Sequence, residues 1–175
     1  MKEIIGGRYE FNRITDIIGR GAMGTVYRAH DTQTGNRVAI KQLKLDPQSK
    51  DEGIISRFMR EADVLRRLQH PHIVTVYDTV QDIELGYYLV MEYISNGSLW
   101  DEIQANPQLS ITRALTIAQQ LASALMVVHE QAIIHRDIKP PNVLIADDKS
   151  PRLSDFGVVH MNENTRITET DGIIG

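Results

Sequence analysis

The densest group of chemically active side chains in this sequence lies between His135 and Asn142, which read His-Arg-Asp-Ile-Lys-Pro-Pro-Asn. Within it, Asp137 can orient an attacking hydroxyl and accept its proton, and Lys139 can offset negative charge that develops nearby. Asn142 and Asp155, the latter opening the sequence Asp-Phe-Gly, supply oxygen atoms of the kind that Mg²⁺ accepts beside the phosphates of a substrate. These residue types therefore indicate Mg²⁺-assisted chemistry at a phosphate group.

A second candidate is the glycine-rich run at 19–24, in which Gly19, Gly21 and Gly24 fit the spacing GxGxxG. The segment after it, Thr25 to Ala29, alternates in polarity and favours a strand, so we expect the run to join two strands. A dinucleotide-binding loop is excluded because it must open a helix, and a Walker A loop because no Gly-Lys-Ser/Thr follows. Two interpretations remain: a plain hairpin turn, or a flap whose bare backbone covers phosphates.

Lys41 follows on the next predicted strand, in the sequence Val-Ala-Ile-Lys. Because side chains alternate along a strand, Ala39 and Lys41 share one face, and in a regular antiparallel meander that face also meets the flap. The small side chain of Ala39 leaves room for a planar ligand beside the ammonium group. A solvated lysine on the strand surface is the alternative.

Glu61 lies on or beside the apolar stripe of the helix predicted at 51–68. A carboxylate at such a position costs on the order of several kcal/mol unless it is paired. We predict Lys41 as its partner, and a surface ion pair with a neighbouring arginine is the alternative.

The elements that must position these groups change character partway along the chain. The first half has mostly the alternating pattern of strands, and the second has mostly helical spacing and loops. Strands are predicted at 8–18, 25–29, 37–42, 73–80 and 87–93, and helices at 51–68 and, with Ser110 as N-cap, at 111–129. The predicted fold class is α+β: a five-stranded antiparallel sheet with one main helix at 8–95, followed by an incomplete, mainly helical part at 96–175.

Composition excludes several classes of protein. The 175 residues are 42% hydrophobic and 24% charged, as in an ordinary globular chain, and the formal net charge of −4 provides no broad basic surface for nucleic acid. The absence of cysteine removes disulfides, thiolate metal sites and cysteine nucleophiles. The apolar runs are too short for a membrane span, so we expect no membrane segment here and a cytoplasmic location, with an anchor further downstream left open.

In their order along the chain, these four motifs resemble those of a protein kinase. The resemblance runs from Arg8 to Gly175. The sequence around the motifs is similar in particular to that of the bacterial eukaryotic-like serine/threonine kinases. Lys139, two places after Asp137, resembles the serine/threonine class. The resemblance implies an enzyme that transfers the γ-phosphoryl group of ATP to serine or threonine hydroxyls of proteins, with Mg²⁺ as cofactor.

The resemblance also implies a role for each residue of the site. The implied catalytic residues are Asp137, Lys139, Lys41 and Glu61, and the implied Mg²⁺ ligands are Asn142 and Asp155. Nucleotide contacts are implied for Ile18, Gly19, Gly21, Gly24, Val26, Ala39, Lys41, Met91, Glu92, Ile94 and Leu144. Of these, Met91 would be the gatekeeper, and the backbones of Glu92 and Ile94 would contact adenine.

The segment 165–170 looks like an activation loop, and we expect autophosphorylation of Thr168 and Thr170, with Arg136 helping to receive the charge. A merely polar loop is the alternative. Members of the family continue to an Ala-Pro-Glu motif and further helices, so the sequence resembles a kinase truncated within its second lobe. We therefore expect an exposed apolar patch on the helix at 111–129, and a catalytically inactive ATP-binding or regulatory fragment is the second functional hypothesis.

Overall fold

The structure, a computed structural model, describes residues 2–21, 24–43, 52–82 and 86–156. Inside the helix that begins at Glu52, the side chains of 52–54, 57–58 and 60–61 are not part of this description. The predictions for the side chain of Glu61, and for Thr168 and Thr170, therefore lie outside the described residues.

Seven strands of the first half form one sheet: β1 (Lys2–Ile5), β2 (Tyr9–Asn12), β3 (Ile17–Gly21), β4 (Gly24–Asp31), β5 (Arg37–Leu43), β6 (Val76–Asp82) and β7 (Gly86–Glu92). Their spatial order is β1-β2-β4-β5-β7-β6, and β3 also pairs with β4. Every pairing is antiparallel. The sheet and helices together confirm the predicted α+β class.

The sheet has more strands than the five expected from the sequence, for two local reasons. The expected strand at 8–18 is two strands, because the chain turns after Asn12, whose backbone N–H donates to Asp16 Oδ2 at 2.8 Å. The other addition is β1, which reverses onto β2 through Gly6 and Gly7. Both glycines are left-handed, at φ +58° and +64°, a conformation in which glycine carries no Cβ penalty.

The back of the sheet carries an aromatic core. Phe11, Tyr27 and Tyr88 are buried, and the ring centroid of Phe11 lies 4.9 Å from that of Tyr27 and 6.2 Å from that of Tyr88. Such tilted and edge contacts contribute about 0.5–1.5 kcal/mol each beyond the burial of apolar area. Val38 and Ile40 of β5 belong to the same core, so the opposite face of β5 is free to form a site.

The sheet curls until its two outermost strands meet. β1 and β6 stand at opposite ends of the strand order, yet they contact one another. A Cβ atom added at Gly6 would lie 3.0 Å from Val80 Cγ1, which is too close for an unadjusted side chain. Ile5 of β1 and Val80 of β6 both belong to the aromatic core, so the curl encloses that core.

Helix α1 (Glu52–Arg67) belongs to a second core shared with the other half of the chain. The predicted apolar stripe is confirmed at Ala62 and Leu65 of this helix and at Leu68 directly after it, which are 0%, 5% and 3% exposed. The same cluster includes Leu89 of β7 and Val128 of the second half. The sheet, α1 and the second half are therefore joined by a continuous apolar contact.

The second half contains α2 (Leu99–Ala105), α3 (Ile111–Glu130), a 3₁₀ helix (Pro140–Asn142) and the hairpin of β8 (Val143–Ile145) and β9 (Pro151–Leu153). Ser98 and Asp101 form a capping box at the start of α2. The predicted N-cap of α3 is confirmed, because Ser110 Oγ accepts from the Arg113 backbone N–H at 3.2 Å. Arg113 also donates two bonds of 2.9 Å to Glu102, which hold α2 against α3.

Helix α3 has a buried face and an exposed apolar face. Ile117, Ala124 and Val128 are buried. Ile111, Leu115 and Met126 are 79%, 65% and 65% exposed, which confirms the expected patch. Among the described residues, α3 is the one helix long and apolar enough to cross a membrane by length and composition, with mean hydropathy 1.3. A core helix meets the same criterion, and Ala124 and Val128 lie in the core shared with α1.

Candidate active site

The glycine-rich run forms the hairpin between β3 and β4. Gly19 pairs with Val26 and Gly21 pairs with Gly24, so the strands run up to the tip at 22–23, which lies outside the described residues. Gly24 has φ +148°, which strains any residue with a side chain. A Cβ at Gly21 would meet nothing within 4 Å, so the packing of the described residues does not require this glycine.

One face of the sheet brings four predicted nucleotide contacts together. Val26 lies opposite Lys41, and Ala39 lies opposite Met91. Cross-strand partners point to the same face, so these side chains share the face away from the aromatic core. The predicted alternation in β5 is confirmed, because Ile40 is fully buried on the other face.

Lys41 forms an ion pair with Asp155. Its Nζ donates to Asp155 Oδ1 at 2.5 Å, and the side chains are 11% and 39% exposed. Lys41 is therefore not a solvated surface lysine, which excludes the alternative raised from the sequence. The contact joins β5 to the segment after β9 and places an ammonium group beside a predicted Mg²⁺ ligand.

Asp137, Lys139 and Asn142 form one hydrogen-bonded unit. Lys139 Nζ lies 2.8 Å from Asp137 Oδ2, and Asn142 Nδ2 donates to the same oxygen at 2.9 Å and to the Asp137 carbonyl at 2.8 Å. These bonds, that of Lys139 first and then that of Asn142, hold the pKa of Asp137 below its ordinary value. The carboxylate is therefore ionised at neutral pH and held in one place by two neighbours.

Buried His135 connects this unit to Ser154 through two hydrogen bonds. It is 1% exposed, its Nδ1 lies 3.3 Å from the Asp137 backbone N–H, and its Nε2 lies 2.8 Å from the Ser154 carbonyl. Since Nδ1 accepts, the proton is on Nε2 and is donated to Ser154. Burial lowers the pKa of His135, which favours this neutral form. The sequence analysis assigns this residue no separate role, because nothing in its spacing distinguishes a buried histidine from an exposed one.

Ser154 provides a second link between the two loops. Its backbone N–H and its hydroxyl donate to the Asn142 carbonyl at 2.9 and 3.0 Å. Arg136 and Asp155 both have left-handed backbones, at φ +65° and +57°. Such conformations are rare outside glycine and persist where surrounding contacts impose them, often at functional sites. The predicted base and the predicted Mg²⁺ ligands are thus fixed side by side.

The segment from Glu92 to Ile94, which is predicted to contact adenine and is here called the hinge, begins where β7 ends. The Glu92 backbone N–H donates to the Thr75 carbonyl at 2.8 Å, and Glu92 Oε2 accepts from the Thr75 N–H at 3.3 Å. Ile94 follows and is partly buried. Leu144 of β8 forms a bridge with Ser98 at the far end of the same segment. The predicted hinge contacts and the predicted contact Leu144 therefore flank one stretch of chain.

A small, partly open pocket lies beside Lys41 and Met91 on this face of the sheet. Met91, Lys41, Asp155 and Phe156 line it, together with apolar side chains of α1 and the strands. Ile18, by contrast, lies beside an irregularity in the pairing of β3 with β4 and is 47% exposed. Of the predicted site residues, Lys41, Met91 and Asp155 line this pocket, and Ile18 does not.

The oxygen donors of Asn142 and Asp155 fit Mg²⁺. Asn142 uses its amide nitrogen on Asp137, which leaves the amide oxygen as its acceptor, and Asp155 keeps a second carboxylate oxygen beside the one on Lys41. Mg²⁺ usually takes one or two protein oxygens and completes its shell with phosphates and water. The described part of the chain holds no cluster of three or more His, Asp or Glu residues able to bind a metal alone.

Comparison with known proteins identifies the class. The family model of the protein kinase domain matches residues 12–172, and the chain belongs to this family. Serine/threonine-protein kinase PrkC of Bacillus subtilis is 40% identical over 171 residues, which cover 98% of this chain and 26% of the relative. A probable serine/threonine-protein kinase PknB of Lactococcus lactis is 38% identical over 174 residues, which cover 99% of this chain and 27% of the relative.

A solved structure extends the likeness to three dimensions. Rad53 in complex with AMP-PNP superposes with a TM-score of 0.72 at 33% identity, covering 83% of this chain and 38% of the other. The kinase-like fold is therefore confirmed. The chain spans about a quarter of the length of the curated relatives it matches.

Proposed function

We propose that this chain carries the ATP site and the catalytic loop of a protein serine/threonine kinase. The observation that supports this best is that two charged units are linked. One unit is the ion pair Lys41–Asp155, and the other is the hydrogen-bonded group Asp137–Lys139–Asn142. Ser154, which precedes Asp155, bonds both Asn142 and His135. Cations beside oxygen donors suit a polyphosphate held with Mg²⁺. The curated relatives cited above are named as serine/threonine kinases, which supports the choice of hydroxyl acceptor.

The nucleotide lies between two lobes, 8–95 and 96–175. This division is supported by the end of β7 at Glu92 and the start of α2 at Leu99. Adenine packs between Val26 and Ala39 above and Leu144 below, with Ile18 at the rim and Met91 behind. The backbones of Glu92 and Ile94 form its hydrogen bonds, and the glycine-rich hairpin covers the phosphates.

In the transfer step, Asp137 orients the serine or threonine hydroxyl and accepts its proton. The hydroxyl oxygen forms a bond to the γ-phosphorus while the bond from that phosphorus to the bridging oxygen of ADP breaks, so that ADP leaves with the electron pair. Lys139, 2.8 Å from Asp137, offsets charge on the phosphoryl oxygens. Because the pKa of Asp137 is lowered, this carboxylate is ready in its ionised form before the hydroxyl arrives.

Lys41 binds those phosphate groups of ATP that lie nearer the adenine than the γ-phosphate does. Its pairing with Asp155 holds the ammonium group in place before nucleotide binds, which reduces the ordering that binding requires. Glu61 of α1 is the proposed helix partner of Lys41. When bound by Asn142 and Asp155, Mg²⁺ supplies positive charge that neutralises the phosphates.

Regulation by phosphorylation is proposed at Thr168 and Thr170, with Arg136 receiving the phosphate. Mass spectrometry of the chain after incubation with Mg·ATP tests this directly. Phosphate within 165–170 is expected, and its absence from a preparation that phosphorylates other proteins would contradict the proposal.

A second candidate function is ATP binding without transfer. The exposed apolar face of α3, with Ile111, Leu115 and Met126, favours it, because among the described residues nothing covers that face. On this hypothesis the chain binds nucleotide and transfers no phosphate.

One experiment separates these functions. Thermal unfolding is measured with and without Mg·ATP, and transfer of labelled γ-phosphate to casein is measured on the same preparation, with Asp137→Asn as the matched control. A rise in Tm with Mg·ATP, together with label transfer that Asp137→Asn lacks, supports the kinase. A rise in Tm without transfer supports the binding fragment, and no rise contradicts both.

A further inference from the structure

Arg152 occupies an unusual environment in the middle of β9. Its side chain is 20% exposed, and its Nε is buried with no hydrogen-bond partner among the described residues. The carboxylate paired with it is that of Glu92, whose Oε1 lies 4.0 Å from Nε. That separation exceeds the roughly 3 Å of a hydrogen bond, so the ion pair is open, with no hydrogen bond between these two atoms. A buried guanidinium N–H that lacks a hydrogen-bond partner lowers the stability of the folded chain.

Glu92 is fixed on the opposite side of this gap. Its backbone N–H and its Oε2 both bond Thr75, at 2.8 and 3.3 Å. The carboxylate therefore moves with the end of β7, where the hinge begins. The carbonyl of the same residue is the proposed contact to adenine.

Arg152 lies on β9, which is bonded to the residues next to Thr75. The next residue, Leu153, donates to the His72 carbonyl at 2.8 Å and accepts from the Val74 N–H at 2.9 Å, and it is fully buried. Asp155 follows two residues later, in contact with Lys41. One ion pair thus stands between the adenine end and the phosphate end of the proposed nucleotide site.

We propose that Arg152 and Glu92 are a positioning pair that closes when nucleotide binds. This inference rests on the proposed nucleotide site. A shift of about 1 Å of the Arg152 and Glu92 side chains towards one another brings Nε within hydrogen-bond distance of the carboxylate and satisfies the buried donor. A nucleotide that contacts both the hinge and Asp155 favours the same approach, so ligand and ion pair stabilise one closed form.

The test is a double-mutant cycle on the whole 175-residue chain. Binding of a fluorescent ATP analogue with Mg²⁺ is measured for the parent, Arg152→Gln, Glu92→Gln and the double variant. Each single change is expected to raise Kd about tenfold, and the double variant is expected to bind no more weakly than either single one. Arg152→Lys, which retains the charge, recovers part of the loss. Arg37→Gln, at an exposed position on β5, is the matched control and binds as the parent does.

The same cycle is measured without nucleotide, by thermal unfolding. A positioning pair that closes on the ligand shows little coupling in the free chain and clear coupling with nucleotide bound. Equal coupling in both states, or an unchanged Kd in Arg152→Gln, overturns the proposal. If the parent chain binds no nucleotide, the proposed function fails as well, and that outcome is distinct from a parent that binds while its variants do not differ.

Discussion

Lys41 Nζ and Asp155 Oδ1 lie 2.5 Å apart, although the two residues are separated by 114 positions in the sequence. Lys41 is the more buried partner, at 11% side-chain exposure against 39% for Asp155. Removing Asp155 would therefore leave a largely buried charge without its partner, which is strongly unfavourable. The same contact connects the sheet to the catalytic half of the chain and prepares a cation for phosphate.

Replacing Lys41 by methionine is expected to weaken Mg·ATP binding by tenfold or more, about 1.4 kcal/mol or above, because a charge-assisted bond to phosphate is lost. The Tm of the free chain should change little, within about 3 °C, since Asp155 remains 39% exposed and can be solvated. Titration with a fluorescent ATP analogue measures the first and thermal unfolding the second. Lys2→Met, at a lysine that is 74% exposed, is the control. Parental affinity in Lys41→Met would count against the assigned role.

Replacing Asp137 by asparagine removes the proton acceptor and keeps the shape of the side chain. We expect label transfer to fall by about 10²–10⁴-fold while the Kd for Mg·ATP stays within about twofold, since the group acts on the hydroxyl and not on the nucleotide. Transfer kinetics and equilibrium binding measure the two effects separately. Asp63→Asn, at a carboxylate 59% exposed on α1, should leave both unchanged. Normal turnover in Asp137→Asn would refute the assignment.

The stability of the chain should fall as the pH is lowered through the range of histidine titration. Burial lowers the pKa of His135 below its ordinary 6.5, so the folded state holds the neutral form and the unfolded state binds the proton more readily. The stability this contributes is present above about pH 6.5 and is lost as the pH falls towards the folded pKa. Thermal unfolding between about pH 7 and about pH 5 should show the fall, with a smaller slope in His135→Gln.

His70 is the necessary comparison for that experiment. Burial, then His72 and Arg152, also lower the pKa of His70, so it contributes in the same direction. His70→Gln should remove its own share of the slope and keep that of His135. Identical slopes in the parent and in His135→Gln would show that the buried ring at 135 does not titrate in this way.

Asp31 is expected to stabilise the sheet through its ionised form. It is 3% exposed and receives two bonds of 2.7 Å from Arg8 and one of 2.7 Å from Thr34. The bonds from Arg8, chiefly, hold the pKa of Asp31 well below its usual range. Asp31→Asn should lower Tm by on the order of 5 °C, because the buried carboxylate loses its ion pair with Arg8.

The pH dependence of the same variant provides the check. Because the folded pKa of Asp31 is depressed, its contribution is present above the unfolded value of 3.8 and is lost as the pH falls below it. The difference in Tm between parent and Asp31→Asn should therefore shrink in acid. Asp16→Asn, at a less buried carboxylate paired with Arg28, should have a smaller effect at neutral pH. A constant difference at all pH values would contradict this account.

Periodicity made part of the fold predictable. The backbone fixes an alternation of two in strands, so the opposite faces of Ile40 and Lys41 followed from their spacing, and the helical period likewise located Ala62 and Leu65. The cap at Ser110 was readable because a short polar side chain before an apolar run has one favourable use. The residues of the catalytic loop were recognisable because their types are rare in that combination.

Other features depend on contacts that spacing does not encode. Strand β1 has four residues, which are too few to show a reliable alternation of polar and apolar side chains. Its pairing with β2 depends on a reversal of the chain at Gly6 and Gly7. The burial of His135 depends on Ser154, which lies in a different loop. The approach of Arg152 to Glu92 depends on how the hairpin of β8 and β9 meets the end of β7. Such relations appear only when distant elements are placed together.

The meeting of β1 with β6, with Gly6 set against Val80, has a consequence for how molecules of this chain behave towards one another. An outermost strand usually offers a row of unpaired N–H and C=O groups to strands of other molecules. Here the two ends of the sheet face each other, which restricts access to both. A chain lacking residues 2–5 would uncover β2 and β6 together and remove Ile5 from the core. The hairpin of β1 and β2 thus limits the pairing of this sheet with strands of other molecules.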